Sequence, residues 1–221
     1  MEGIRFEPEG HRYFLGDEEY VSVTQVLAAM RISDNDWIKD EYRQRGTAVH
    51  QICDLIDADT SNLNFDSVEE LIGASQWEPG ATTPELVGYG QAYAAFRVAT
   101  RFRPALIEER LHSTALRLAG TLDRFGAWGN GAVLRTTVPS RWVLIDLKSG
   151  VPTLSARIQT ALYQYLMEGM GKWKAKADVR AAVHLQKDGS FRIYRYEDKQ
   201  DIQVGLSAVN LYHWMKNNKL L

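Results

Sequence analysis

Trp142-Val143-Leu144-Ile145-Asp146-Leu147-Lys148 is an apolar run of strand length that carries a carboxylate and ends on an ammonium. Side chains alternate along a strand, so Asp146 and Lys148 project to one face and Leu147 to the other. A buried carboxylate is costly unless coordination or a charge partner offsets it. The apolar residues before Asp146 and the Ser149-Gly150 pair after Lys148 mark a strand's C-terminal edge, where sheet sites commonly open. Taken alone, the Asp146/Lys148 pair serves a surface ion pair as well as catalysis.

Outward from that strand, the hydrophobic period is 2 from Pro104 onward, whereas before it the period is helical. Strands are predicted over Ala105 to Ser113, Arg117 to Ala127 and Arg141 to Leu147, with a turn at Gly129-Asn130-Gly131 and Val133 to Val138 adding to the hairpin. A helix follows from Ser155 to Met170. Strands Val179 to Leu185 and Phe191 to Tyr196 flank the turn Lys187-Asp188-Gly189-Ser190, and a helix from Gln200 to Asn217 closes the chain. In the N-terminal half, residues 4–22 alternate as a hairpin or three-stranded flap. Ser22 to Leu27 offers hydroxyl caps for a short helix ending near Met30. A second helix runs from Asp36 through Asp57, with Trp37, Tyr42, Val49, Ile52 and Ile56 at helical spacing and Gly46 permitting a bend. Ser67 to Ile72 reads as a short helix in a polar loop, and Pro84 opens a helix to Ala99 that carries Leu86, Tyr89, Tyr93 and Phe96 on one side. The expected fold is mixed α/β (α+β), a central mixed β-sheet flanked by helices. One domain spans residues 1–221: 1–100 holds the flap and helices, 101–221 the sheet core.

Composition excludes little. The chain has 221 residues, 45% of them apolar and 24% charged, with a net charge of −2, so any nucleic-acid surface is a local patch. A single cysteine, Cys53, forms no intrachain disulfide and builds no cysteine-based zinc or iron–sulfur site, which suits a reducing, cytoplasmic setting. The first residues lack a signal-peptide core, and no stretch approaches a membrane span.

Several polar side chains join Asp146 and Lys148 as candidates. Asp123 is expected at the end of a strand that pairs antiparallel with the next, so both carboxylates come within reach of one cation; the plainer alternative is a turn cap before Gly126. Hard cations such as Mg²⁺ or Mn²⁺ take carboxylate oxygens and keep several waters. Glu108 and Glu109 sit on the preceding strand, where alternation lets only one face the site; Glu108 is the first choice and Glu109 the fallback. His50 lies on a helix, one turn after Gly46 and Thr47. Helical histidines are usually structural, but the glycine allows a phosphate or another backbone to approach closely. His112 has no such context, and His184 is expected to be a core or edge residue. Gln159 and Tyr163, four apart on the helix after the Asp146 strand, share a face toward the cleft if Ala161, Leu162, Tyr165 and Leu166 form the core stripe. Arg43 and Arg45 are the phosphate contacts expected beside the site, whereas Arg97-Arg101-Arg103 and Lys172-Lys174-Lys176-Arg180 read as solvated faces.

In chain order the motifs are Arg45-Gly46-Thr47-x-x-His50, Glu108, Ala119-Gly120-Thr121-Leu122-Asp123, Ile145-Asp146-Leu147-Lys148-Ser149-Gly150 and Gln159-x-x-x-Tyr163. The series resembles the RecB-like branch of the PD-(D/E)XK nuclease superfamily. His11-x-Tyr13, Gly16 and Val21-Ser22-Val23-Thr24 resemble the start of its phage-type members, so the similarity covers nearly the whole chain. Thr121-Leu122-Asp123 lacks the name-giving proline, as is common in this branch. The resemblance implies a restriction-endonuclease-like core and metal-dependent hydrolysis of DNA, as an exonuclease at linear ends in recombination or repair. The alternatives within the fold are a structure-specific or restriction-like endonuclease and a catalytically inactive DNA-binding module. By the same resemblance, His50, Glu108, Asp123, Asp146 and the backbone carbonyl of Leu147 hold one or two Mg²⁺ or Mn²⁺ ions. Lys148 orients or activates the attacking water, and Gln159 and Tyr163 position the lysine or the DNA phosphates. Arg43, Arg45, Gly46, Thr47 and Tyr163 are the implied DNA contacts. The implied partners are linear DNA ends and a phage single-strand annealing or recombination protein, in the cytoplasm of a bacterial host, with no membrane. Relatives with a four-cysteine iron–sulfur cluster need cysteines that this chain lacks.

Overall fold

The computed structural model describes residues 3–33, 40–58, 68, 84–129, 141–150, 153–171 and 173–221. The flap is three-stranded: β1 (Arg5–Glu7), β2 (Arg12–Leu15) and β3 (Glu18–Ser22) pair antiparallel in succession. Helix α1 (Val23–Ala29) starts on a capping box in which Ser22 and Gln25 exchange side-chain-to-backbone bonds. The remaining helices are α2 (Asp40–Ala58), α3 (Pro84–Thr100), α4 (Ser155–Met170) and α5 (Gln200–Asn217). The remaining strands are β4 (Arg103–Ser113), β5 (Leu118–Trp128), β6 (Arg141–Lys148), β7 (Val179–Leu185) and β8 (Phe191–Tyr196). Gly46 interrupts nothing, since α2 is continuous from Asp40 to Ala58. Trp37, the short helix at Ser67 to Ile72 apart from Val68, and the Asn130–Val138 segment lie outside the described residues.

All eight strands form one mixed sheet, and β5 is its hub. Along one edge β5 pairs with β4 over almost its full length. The other edge is shared: β3 takes Leu118 and Ala119 in parallel, and β6 takes Arg124 to Trp128 antiparallel. Residues 120–123 fall between these two partners, and among the described residues no strand pairs with that edge of β5 there. Strand β6 runs on to Lys148 beside β7 alone, which pairs with it in parallel as the βαβ crossover through α4 requires. A wedge thus opens between the end of β6 and the middle of β5.

Two apolar cores cover the faces. On one, α2 and α3 pack Ile52, Tyr93 and Phe96 against Val143, Ile145 and Leu147; on the other, α1, α4 and α5 pack Val26, Leu162 and Val209 against Leu144 and Leu122. Alternation along β6 therefore places Asp146 and Lys148 on the α4 face. Alternation fails on β4 and β5. Leu106 and Leu111, five apart, join the same core, and so do Leu122 and Phe125, three apart. The face change falls at Glu108 and Asp123, which oppose each other between the pairs Ile107–Arg124 and Glu109–Leu122. Glu108 adopts φ +46°, a left-handed conformation that costs a non-glycine residue about 1–3 kcal/mol.

Three expectations need correction. Asp123 lies mid-strand in β5, neither at a strand end nor capping a turn. Tyr165 is exposed, so the buried stripe of α4 runs through Ile158, Leu162, Leu166 and Met167 instead. Arg97 and Arg180 are not on solvated faces: Arg97 bonds the Ile56 carbonyl and the Asp57 carboxylate, and Arg180 bonds Asp201 with the Arg157 and Asp198 carbonyls. Lys172 lies outside the described residues.

Candidate metal and phosphodiester site

At the wedge between β5 and β6 the two faces of the sheet are linked through the Leu147 backbone, and the close donor group is His50, Glu108 and Asp123, without Asp146. From the α2 face comes His50, whose Nδ1 lies 3.0 Å from Glu108 Oε1 and whose Nε2 lies 3.3 Å from the Leu147 carbonyl oxygen and 3.8 Å from Asp123 Oδ2. His50, Glu108 and Asp123 each offer a ligand atom within 4.8 Å of the others. Because β6 has left β5 at this level, Asp123 Oδ2 instead accepts the Leu147 backbone N–H at 2.7 Å. Glu108 is therefore the glutamate that faces the site, and its left-handed backbone is what turns it there.

From the α4 face comes a second chain of contacts. The Lys148 ammonium donates to Asp146 Oδ1 at 2.9 Å and to Gln159 Oε1 at 3.3 Å, and Gln159 Nε2 donates to the Tyr163 hydroxyl at 3.2 Å. Tyr163 is buried flat against Gly120, where an added Cβ would sit 2.6 Å from the ring. That close approach is why a glycine stands at position 120. Asp146 is 1% exposed, and its Oδ2 makes no hydrogen bond although the ammonium lies 2.9 Å away.

The donors fit a hard divalent cation. Two carboxylates, an imidazole and a carbonyl converge, a buried carboxylate oxygen at Asp146 lacks a hydrogen bond, and the acids crowd one another. Burial, with the like charges of Asp146 and Glu108, pushes Asp123 up to about 7 against the pull of His50. Burial opposes charge on His50, but Asp123 and Glu108 outweigh it and raise the imidazole to about 9. Glu108 is held below the usual carboxylate range: burial works against its ionisation, and His50 and Arg124 prevail. Burial also works to discharge Lys148, yet Asp146 and Asp123 hold it above the ordinary lysine value, so the group is an ammonium.

These shifts predict how the metal-free chain responds to pH. Asp123 rises from 3.8 in the unfolded chain to about 7, and His50 from 6.5 to about 9. Each raised value contributes stability that is present below the unfolded value and is lost as pH rises through the folded one. The chain in EDTA is expected to melt lower at about pH 9 than at about pH 5, and the decline should shrink in Asp123→Asn. Melting that is flat across this range in both proteins would contradict the charge crowding.

Around the rim, Arg45 lies over the rings of Tyr42 and Tyr89, 4.9 and 5.9 Å from their centroids. Among the described residues nothing beyond α2's own backbone lies within 4 Å of where a Cβ on Gly46 would stand, and Thr47 is exposed beside it. The Arg43 side chain lies outside the described residues.

Several residues at the site had no role there assigned from the sequence. Tyr89 donates to the Ser149 carbonyl at 3.3 Å and His184 to the Gly150 carbonyl at 3.1 Å, so the turn after Lys148 is held from both faces. His184 is thus a buried residue of an interior strand, not an edge residue. Tyr13 reaches from the flap to bond Thr121 Oγ1 at 2.9 Å, on the stretch of β5 between its β3 and β6 pairings. The largest omission is Arg124, which is 0% exposed and bonds Asp57, Asp54, Glu108 and the Asp123 carbonyl. Its only sequence mark is a charge directly after Asp123 in an apolar strand.

Among known protein families and curated proteins, the chain matches none.

Proposed function

We propose that the chain is a divalent-metal-dependent deoxyribonuclease that hydrolyses phosphodiester bonds at linear DNA ends. Two observations support this reading: His50, Glu108 and Asp123 offer donors within 4.8 Å of one another, and the Leu147 backbone that Asp123 and His50 contact lies between Asp146 and Lys148, whose chain runs on to Gln159. The donor set suits Mg²⁺ or Mn²⁺, held by His50, Asp123, Asp146 and the Leu147 carbonyl with Glu108 beside them. A divalent cation there would neutralise charge on the non-bridging phosphate oxygens. Lys148 is charged and already donates two hydrogen bonds, so its part is to place the attacking water and stabilise negative charge in the transition state; it is not poised to accept a proton. Gln159 fixes the ammonium, and Tyr163 fixes Gln159. Attack by water on phosphorus breaks one ester P–O bond and leaves a phosphate monoester and a hydroxyl. Arg45 and the helix turn at Gly46 supply the approach for the DNA backbone. The motif order and its resemblance to phage-type exonucleases support a role in processing ends for recombination or repair, in the cytoplasm of a host cell. No described helix is long and apolar enough to cross a membrane.

End-labelled linear, nicked and covalently closed circular DNA separate the possibilities in one gel. Mg²⁺ or Mn²⁺ is expected to support loss of the linear substrate, EDTA to stop it, and the closed circle to survive. A cut circle would make the protein an endonuclease. Binding of DNA without cleavage at any metal concentration would make it a binding module of the same fold.

A further inference from the structure

Glu108 has more than one partner, and their arrangement changes what it does. Its Oε1 accepts from His50 Nδ1 at 3.0 Å and from Arg124 Nη1 at 3.0 Å. A carboxylate on Nδ1 leaves Nε2 as the nitrogen that faces the Leu147 carbonyl and Asp123. Carboxylates commonly hold metal-binding imidazoles in this way from the outer shell. Behind Glu108, the wholly buried Arg124 guanidinium is fixed on its other sides. Its Nε bonds Asp57 Oδ2 at 2.6 Å, its Nη2 bonds Asp54 Oδ1 at 2.5 Å, and its Nη1 also bonds the Asp123 carbonyl at 2.8 Å. Asp57 is itself gripped by both Tyr93 and Arg97. The planar fork of arginine spans these acceptors at fixed angles, which a lysine cannot do.

We infer that Arg124 is the positioning residue of the cation site: anchored on Asp57 and Asp54, it fixes Glu108, and Glu108 turns His50 so that Nε2 coordinates. Glu108 then acts chiefly by orienting His50. Arg124 also grips the Asp123 main chain, so one side chain sets the spacing of donors from α2, β4 and β5. The inference rests on the metal reading above and deepens it.

Calorimetric titration of the full chain with Mn²⁺ tests this, with thermal melting to establish that each variant is folded. Arg124→Lys and Glu108→Gln are each expected to weaken Mn²⁺ binding by about 10–100-fold without changing stoichiometry. The double variant should bind no more weakly than the weaker single one, because both act through one path. Asp123→Asn, which removes a ligand, should weaken binding further still. If Arg124→Lys fails to fold, Asp57→Asn, which leaves the guanidinium in place but loosens its anchor, is expected to weaken binding in the same direction by a smaller factor. A second readout needs no metal. The downfield imidazole N–H resonance of His50, assigned by its absence in His50→Gln, should be lost or shifted in Arg124→Lys and in Glu108→Gln. Wild-type Mn²⁺ binding with an unchanged constant in folded Arg124→Lys overturns the inference. So does Glu108→Gln behaving like Asp123→Asn with effects that add to those of Arg124→Lys, which would make Glu108 a direct ligand. A flat wild-type titration overturns the metal reading itself and is distinguished because the loss then precedes any substitution.

Discussion

Lys148→Ala and Asp146→Ala are each expected to reduce DNA cleavage by at least about 10²–10³-fold, the loss typical when a donor or charge aimed at the transition state is removed. Their effects on stability should differ. Removing the ammonium leaves Asp146, 1% exposed, without its Lys148 partner. Stranding one member of a buried pair is destabilising, and the two members differ: the Lys148 side chain is 31% exposed and keeps Gln159, whereas that of Asp146 is 1% exposed. Lys148→Ala should therefore stay folded but melt lower than wild type, while metal-free Asp146→Ala should lose less, since the partly exposed ammonium can turn to water and the crowding on Asp123 is relieved. Added Mn²⁺ should raise the melting temperature of wild type more than that of Asp146→Ala, because the variant has lost a donor. Measured cleavage and melting curves for the two purified variants, with Mn²⁺ and with EDTA, check each point. Wild-type activity in either would remove Asp146 and Lys148 from the chemistry.

Much of this arrangement was legible in the sequence because it rests on local periodicity. The Ser155–Met170, Val179–Leu185 and Gln200–Asn217 elements follow from spacing and turn residues alone, and the structure has them at those bounds. The common face of Asp146 and Lys148 follows from strand geometry, and that of Gln159 and Tyr163 from helix geometry. What escaped depends on contacts distant in sequence. Nothing local indicates that β3 and β6 share one edge of β5, so that residues 120–123 have no pairing strand on that side among the described residues. The choice between Glu108 and Glu109 could not be made by alternation, because alternation fails at that residue, where the backbone takes a positive φ. Arg124 meets the Asp123 carbonyl in its own strand and Glu108 on the neighbouring one, but no local pattern marks either contact. Its acceptors on α2 stand 67 and 70 residues away in sequence, beyond any periodic pattern.

Those distant contacts also set the stability of the scaffold, and Asp57→Ala exposes this most directly. The Asp57 side chain is inaccessible to solvent and is shared by Arg124 at 2.6 Å, Arg97 at 3.0 Å and both bonds of the Tyr93 hydroxyl. Alanine removes every acceptor at once. Arg124 keeps Asp54 and Glu108, but its Nε loses its partner and the buried positive charge loses the nearest carboxylate that Asp57 supplied. Breaking such a pair from one side costs about 3–5 kcal/mol, a fall of roughly 6–20 °C in Tm for a domain of this size. Asp57→Asn retains the shape and one acceptor oxygen, so its loss should be smaller. A further variant, Asp57→Ala with Arg124→Met, should melt higher than Asp57→Ala alone, because the most deeply buried stranded charge is then gone, while Arg97, 12% exposed, keeps the Ile56 carbonyl. It should still bind Mn²⁺ poorly, since Glu108 has lost its anchor. Stability regained without metal affinity would separate the two duties of this network, one in holding α2 and α3 to the sheet and the other in aiming the donors. A melting temperature for Asp57→Ala within about 2 °C of wild type would instead mean that water reaches Arg124 and that its burial is not maintained in solution.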